Sequence, residues 1–255
     1  DSTYDYYGSS GGGGATFIIS PPYNILESIL LIAGGGGSTE NAYGSPTDEQ
    51  QGQVYTAGGN GTLCVDCSTG GENGQGGTNS GPGNSGGGGG GFFTNGEDAQ
   101  NGGGGGFSFI NGGFGGLALY NEIYGGFGGG GGAYGMHGGA GAGGGFSGGG
   151  GGDNYGNARA GGGGSYNSGD NQDNESGVND GHGYVVITYD DIVCPDLTGD
   201  INDDSSLDVL DILIIVDLLL NGGFDSYDSC ADINSDGNLD VMDIINLVSI
   251  ILDNS

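Results

Sequence analysis

Glycine runs of four to six residues recur through residues 1–189 of this chain: Gly34–Gly37, Gly86–Gly91, Gly102–Gly106, Gly128–Gly132, Gly148–Gly152 and Gly161–Gly164. Glycine loses more backbone freedom on folding than any other residue, by roughly 0.5–1 kcal/mol relative to alanine. Such runs therefore stay as flexible linkers, or they order where nearly every buried amide finds a partner. The sequence favours order, because the runs have similar lengths and are punctuated by single aromatics, Phe92, Phe107, Phe127, Tyr134, Phe146 and Tyr166. The ordered form expected is a packed array of extended polyglycine helices with three residues per turn. At about 3.1 Å per residue, five or six glycines give about two turns and on the order of 16–19 Å. Lacking side chains, these helices can approach closely and bond backbone to backbone, aided by weak Cα–H···O contacts. Asn-Gly and Ser-Gly pairs would supply the reversals. Although glycine makes up 69 of 255 residues, it lacks the every-third-residue period of collagen.

Three short segments interrupt the glycine pattern with β-branched and aliphatic residues: Ala15–Ser20, Ser28–Ala33 and Gly183–Tyr189. Pro21-Pro22 and a glycine run bound the first two, and all three read as strands. Strands that open and close the region predict a β-sandwich whose first and last strands pair. The predicted fold is thus a mainly β N-terminal domain, a β-sandwich with packed polyglycine II helices, plus a small all-α C-terminal domain. Composition changes at Tyr189–Pro195, which sets the expected domains at 1–190 and 191–255.

Charge narrows the function classes. The chain carries 32 acidic residues against one basic residue, Arg159, a formal charge of −31. A field of that sign repels nucleic acid and anionic membrane and concentrates cations. Lysine is absent, which excludes Schiff-base chemistry, amine nucleophiles and lysine isopeptide cross-links. No run of 18 apolar residues occurs, so no membrane insertion is expected. A chain beginning at Asp1 reads as a mature form that has lost its signal peptide. Four cysteines suit an oxidising compartment, where two disulfides have three connectivities. The expected location is secreted, extracellular or at the cell surface.

Beyond Cys194 a pattern repeats at an offset of 32 residues: Asp200, Asn202, Asp204, Asp208 and Asp211 align with Asp232, Asn234, Asp236, Asp240 and Asp243. Oxygen side chains at loop positions 1, 3, 5, 9 and 12, with a backbone carbonyl at position 7 from Ser206 or Asn238, supply the six or seven hard ligands that calcium takes. Two calcium ions are expected; magnesium, which retains water, fits a loop of so many protein ligands poorly. Gly237 fills the sharp-turn position of the second loop and Ser205 that of the first, a departure expected to weaken the first site slightly. An apolar residue at position 8, Leu207 or Leu239, also repeats. Each loop leads into an amphipathic helix, with Ile212, Ile215, Val216 and Leu219 matching Ile244, Leu247, Val248 and Ile251. These faces should pack together in a small antiparallel core.

A duplicated unit of one loop and one helix resembles the dockerin family. That resemblance implies a cohesin-like partner, bound through residues beside the calcium loops. The corresponding pairs are Val209-Leu210 and Val241-Met242, apolar where many cellulosomal dockerins carry small hydroxyl residues. The N-terminal region is similar to the glycine-rich domain of the anaplastic lymphoma kinase and leukocyte tyrosine kinase receptors. Leu31–Gly37 followed by Asn41–Gly44, Gly125–Gly132, Gly143–Gly152 and Gly181–Ile187 carry that resemblance, in the family's order. It implies a small β-sandwich with inserted, hexagonally packed polyglycine helices.

Cys194 and Cys230 each lie shortly before a calcium loop, where a disulfide would tie the repeats together. Cys64 and Cys67 read as a local disulfide stapling a loop rather than a redox or zinc site, because no second cysteine pair or histidine cluster accompanies them. His182, beside the last expected strand, reads as structural, and His137, in a glycine loop, as exposed. No nucleophile elbow or His-rich metal site is present, and most carboxylates belong to the calcium pattern or to Asn/Asp/Gly segments, so no catalysis is expected. Two functions remain. One is a structural protein whose copies self-assemble into an extracellular filament or surface layer through the calcium module. The other is a dockerin-tethered binding or adhesion module displayed on a separate cohesin-type scaffold.

Overall fold

The computed structural model describes residues 8–39, 46–63, 67–79, 81, 83–120, 122–135, 138–154, 158–188, 199–202, 204–221 and 228–253. Cys64, Cys194, His137, the stretch 41–44 and the expected border at 189–195 lie outside them. The chain divides into two compact units, Asp1–Val185 and Val186–Ser255. Most of it is irregular, with a small antiparallel sheet in the first unit and helices in the second. No helix among the described residues is long and apolar enough to cross a membrane.

The sheet has three strands in the order β1 (Thr16–Ile19), β2 (Ile29–Ala33) and β3 (Tyr166–Asn167). Thr16 faces Ala33, Phe17 faces Ile32 and Ile18 faces Leu31, before the register slips between Ile18 and Ile19. The first two strands lie where β-branched residues place them. Pro21-Pro22, with no N–H to give to a ladder, ends β1. The third expected strand is corrected: residues 183–188 form neither helix nor strand. The far edge of β2 is taken by Tyr166–Asn167. Residues 184–187 are exposed on both faces, so no burial fixes a register for them. His182, exposed beside them, has no strand to support. The expected β-sandwich is likewise not seen among the described residues, where a single sheet packs against the aromatic ends of glycine tracts. Phe92 follows Gly91 and Phe146 follows Gly145, and both are buried with Ala15, Ile29 and Ile32 while Tyr166 and Phe109 pack against them. Phe92 stacks on Phe109 at 5.1 Å. Of the other punctuating aromatics, Phe107 and Phe127 are exposed.

The glycine tracts bond laterally to segments distant in sequence. Gly86 and Gly89 donate to Gly152 and Gly149, Gly87 and Gly90 to Gly132 and Gly129, and Gly88 and Gly91 to Glu97 and Thr94, all between 2.7 and 3.0 Å. Each advance of three residues on one side retreats three on the other, so the donor partners run antiparallel. The carbonyls of the same tract accept from three further segments: Gly87 and Gly90 from Ala142 and Gly145, Gly88 and Gly91 from Gly106 and Phe109, and Gly89 from Gly77. The repeat recurs elsewhere, as Ala160 and Gly163 donate to Ser38 and Gly35, and Gly161 and Gly164 to Gly150 and Ser147. Every residue of Gly86–Gly91 and Gly148–Gly152 is buried. A Cβ on Gly89 would overlap the carbonyl of Gly143, and one on Gly148 that of Gly89. The alanines Ala140, Ala142 and Ala160 are buried and cluster together.

In the second unit, α1 (Val209–Asn221) and α3 (Val241–Asp253) flank a single turn, α2 (Asp228–Ala231). Ile201, Ile215, Ala231 and Leu247 form the buried centre, ringed by Leu207, Ile212, Leu219, Ile233, Leu239, Ile244 and Ile251. The 32-residue offset carries Ile201 to Ile233, Leu207 to Leu239, Ile212 to Ile244, Ile215 to Leu247 and Leu219 to Ile251, so both repeats feed one core with equivalent residues. Burying a side chain of this size contributes about 1.5–3 kcal/mol.

Candidate metal centre

Each loop of the second unit is shaped by its own acids. The Asp200 carboxylate accepts the backbone N–H groups of Asp204 (3.1 Å) and Ser205 (2.8 Å), as Asp232 accepts those of Asp236 (3.1 Å) and Gly237 (2.8 Å). Asn202 Oδ1 and Asn234 Oδ1 accept from Asp204 and Asp236 two residues on. Asp204 and Asp236 in turn accept the amides of Ser206 and Asn238, each at 2.9 Å. Short acidic and amide side chains favour such local turns because they reach their own backbone. Position 6 is left-handed in both loops, with φ +68° at Ser205 and +85° at Gly237.

The last expected ligand positions join loop to helix. Asp208 and Asp240 precede α1 and α3 and accept the amides of Leu210 and Met242 at 2.7 Å, as N-cap residues do. Asp211 and Asp243, three residues further, return a carboxylate oxygen to the Asp208 and Asp240 amides at 3.0 and 2.8 Å, which completes a reciprocal cap. Their other oxygen reaches back to the loop start: Asp211 to Ile201 (2.9 Å) and Asn202 (3.4 Å), Asp243 to Asn234 (3.3 Å). One side chain therefore ties each loop's beginning to its end. Ten of the twelve sequence-derived ligand residues lie in the two loops, and Asp211 and Asp243 lie in the first turns of α1 and α3. Ser206 and Asn238, expected to act through their carbonyls, are exposed.

Asp200, Asp211 and Asp243 are at least 98% buried, and residues 186–255 contain no Lys, Arg or His. Buried carboxylates require hydrogen bonds and a countercharge. Backbone amides supply the former, but nothing in this unit's sequence supplies the latter. The donor set therefore fits a bound hard cation: carboxylate and amide oxygens with a backbone carbonyl, and no nitrogen or sulfur ligands. Among the described residues no three His, Cys, Asp or Glu side chains are drawn together as a finished metal cluster, their oxygens being engaged with loop amides. Hydrogen bonding also acts on Asp236. The Asn238 backbone N–H and then its side-chain amide hold this exposed carboxyl below its ordinary value of 3.8, against opposing desolvation, and Asn234 adds the smallest contribution.

The sequence singled out the apolar pairs Val209-Leu210 and Val241-Met242, but not Leu213, Leu220, Ile245 and Leu252, which extend them along the helices. Val209, Leu210, Leu213 and Leu220 on α1 are 50–78% exposed, and so are Val241, Met242, Ile245 and Leu252 on α3, at the same offset. The repeat itself was the signal that could have found them. Elsewhere, Cys67 and Cys230 are both disulfide-bonded. That state removes the free thiolates that a redox or zinc reading of Cys67 needs. Comparisons with protein-family models, curated proteins and solved structures find no match.

Proposed function

We propose that this chain is a secreted, non-catalytic structural protein that self-assembles into an extracellular filament or surface layer. Its glycine-rich unit is the rigid element, and a dockerin-like module holding two calcium ions mediates subunit contacts. The observation that carries the reading is the duplicated, exposed apolar stripe beside the loops, because contiguous exposed apolar surface marks an interaction site. The three-residue hydrogen-bond register, with six neighbours around Gly86–Gly91, supports packed polyglycine II helices inside a compact β framework. Asp200, Asn202, Asp204, Asp208 and Asp211, with the Ser206 carbonyl, would hold one ion. Asp232, Asn234, Asp236, Asp240 and Asp243, with the Asn238 carbonyl, would hold the other. The ion supplies the positive charge that the loops lack and cross-links each loop to its helix.

Duplication also favours a second reading, a binding module tethered to a cohesin-type scaffold, since two equivalent stripes offer the same side chains to one partner. Electron microscopy and light scattering of the purified chain, with calcium and with chelator, separate the two. Calcium-dependent polymers are the expected result. A monomer under both conditions would overturn the assembly reading and leave the tethered module.

A further inference from the structure

The segment Tyr184-Val185-Val186-Ile187 has the composition of a strand without a partner. Its four side chains are β-branched or aromatic, residue types that suit a pleated, half-buried surface. Here Tyr184, Val186 and Ile187 are more than 70% exposed and Val185 is 41% exposed. The boundary between the compact units falls inside it, between Val185 and Val186. At its base, Gly183 lies so close to β1 that a Cβ there would overlap the Thr16 hydroxyl.

Among the described residues, β1 in turn is an edge strand of the sheet. Edges are ordinarily blunted by charge, proline or a bulge. In β1 these devices sit at one end only, in the register slip between Ile18 and Ile19 and in Pro21-Pro22. Thr16, Phe17 and Ile18 carry no charge. Strand and edge are thus of similar length and matched in apolar character, yet in this chain the segment leaves Thr16 without pairing.

We propose that residues 184–187 are a donor strand that completes the sheet of a second copy by pairing with its β1. Addition of a strand to an open edge combines main-chain hydrogen bonds with burial of alternate side chains. The device is heterologous, each copy offering one strand and one edge, and so propagates as a chain of subunits. This inference rests on the self-assembly reading and specifies its contact.

Full-length Thr16→Cys and Val186→Cys proteins are mixed with calcium and treated with a short bismaleimide. Cys67 and Cys230, being disulfide-bonded, do not compete. A cross-linked dimer from the mixture, absent when either variant is treated alone, is the expected result. Amide hydrogen exchange at residues 184–187, followed where scattering shows only monomer, should be fast, because unpaired amides are unprotected; slow exchange in the monomer would mean that the strand belongs to its own sheet and would overturn the proposal. Polymers without the mixed dimer would also overturn it while leaving self-assembly intact, and no polymers at all would remove both. As a second measurement, Val186→Pro alters an exposed residue and deletes one ladder donor, so assembly should slow about tenfold or more. An unchanged rate counts against the donor strand.

Discussion

Ser205 occupies the left-handed region at φ +68°, where its counterpart Gly237 sits at +85°. A residue with a Cβ is disfavoured there by about 1–2 kcal/mol. Ser205→Gly should therefore raise the stability of the second unit by about 1 kcal/mol, read as a higher urea midpoint at saturating calcium. Gly237→Ala should lower it. At the same scale, Asp243→Asn removes a buried charge from a ligand position and should weaken calcium binding, measured by calorimetric titration, whereas Asp253→Asn at the exposed helix end should not. Asp236 adds a pH dependence of definite sign. Its folded-state pKa lies below 3.8, so its contribution to stability is complete above that value and is lost as pH falls through the lower folded-state value. Helical circular dichroism followed down from pH 5 should show the loss, and Asp236→Asn should abolish that part of it.

Helices, loops and the first two strands were legible because each depends on neighbours in sequence: β-branched runs, N-cap acids and a repeat that shows itself as a constant offset. β3 was not, since Tyr166–Asn167 is two residues long and owes its place to the tract Gly161–Gly164 delivering Tyr166 to the apolar cluster. Residues 183–188 show the converse, where strand composition was right and the partner could not be read from the chain. The repeated acids were legible as a pattern, whereas their capping of loop amides required coordinates. Glycine tracts fall between these cases. Composition suggested the array, but only the three-residue register says which tract meets which. That register yields an element-scale test. A leucine at Gly148 must displace the Gly89 backbone, with no side chain able to yield. Gly148→Leu should cost well over about 3 kcal/mol or prevent folding of the first unit, while Gly181→Leu at an exposed glycine should be near neutral. Hydrogen exchange in the wild type checks the same point, with slow exchange expected at Gly86–Gly91.

At the scale of the whole molecule, two units with different sources of stability share a chain of net charge −31. The first is held by interlocked backbone amides and an aromatic cluster, interactions that a cation scarcely touches. The second has a small aliphatic core, nine loop carboxylates and no basic residue, so under the proposed function its stability should be linked to calcium. A ligand that binds only the folded form stabilises it by about 2.7 kcal/mol at one hundred times its dissociation constant. Calorimetry of the full chain should therefore show two transitions. Raising free calcium should move one of them upward together with the helical signal at 222 nm, and chelator should abolish that one alone. Sodium chloride screens repulsion between carboxylates but cannot occupy a loop, so about 0.5 M salt in chelator should leave the calcium-linked transition missing. If chelator lowered both transitions equally, the units would be one cooperative body, and calcium would stabilise the glycine array as well as the loops.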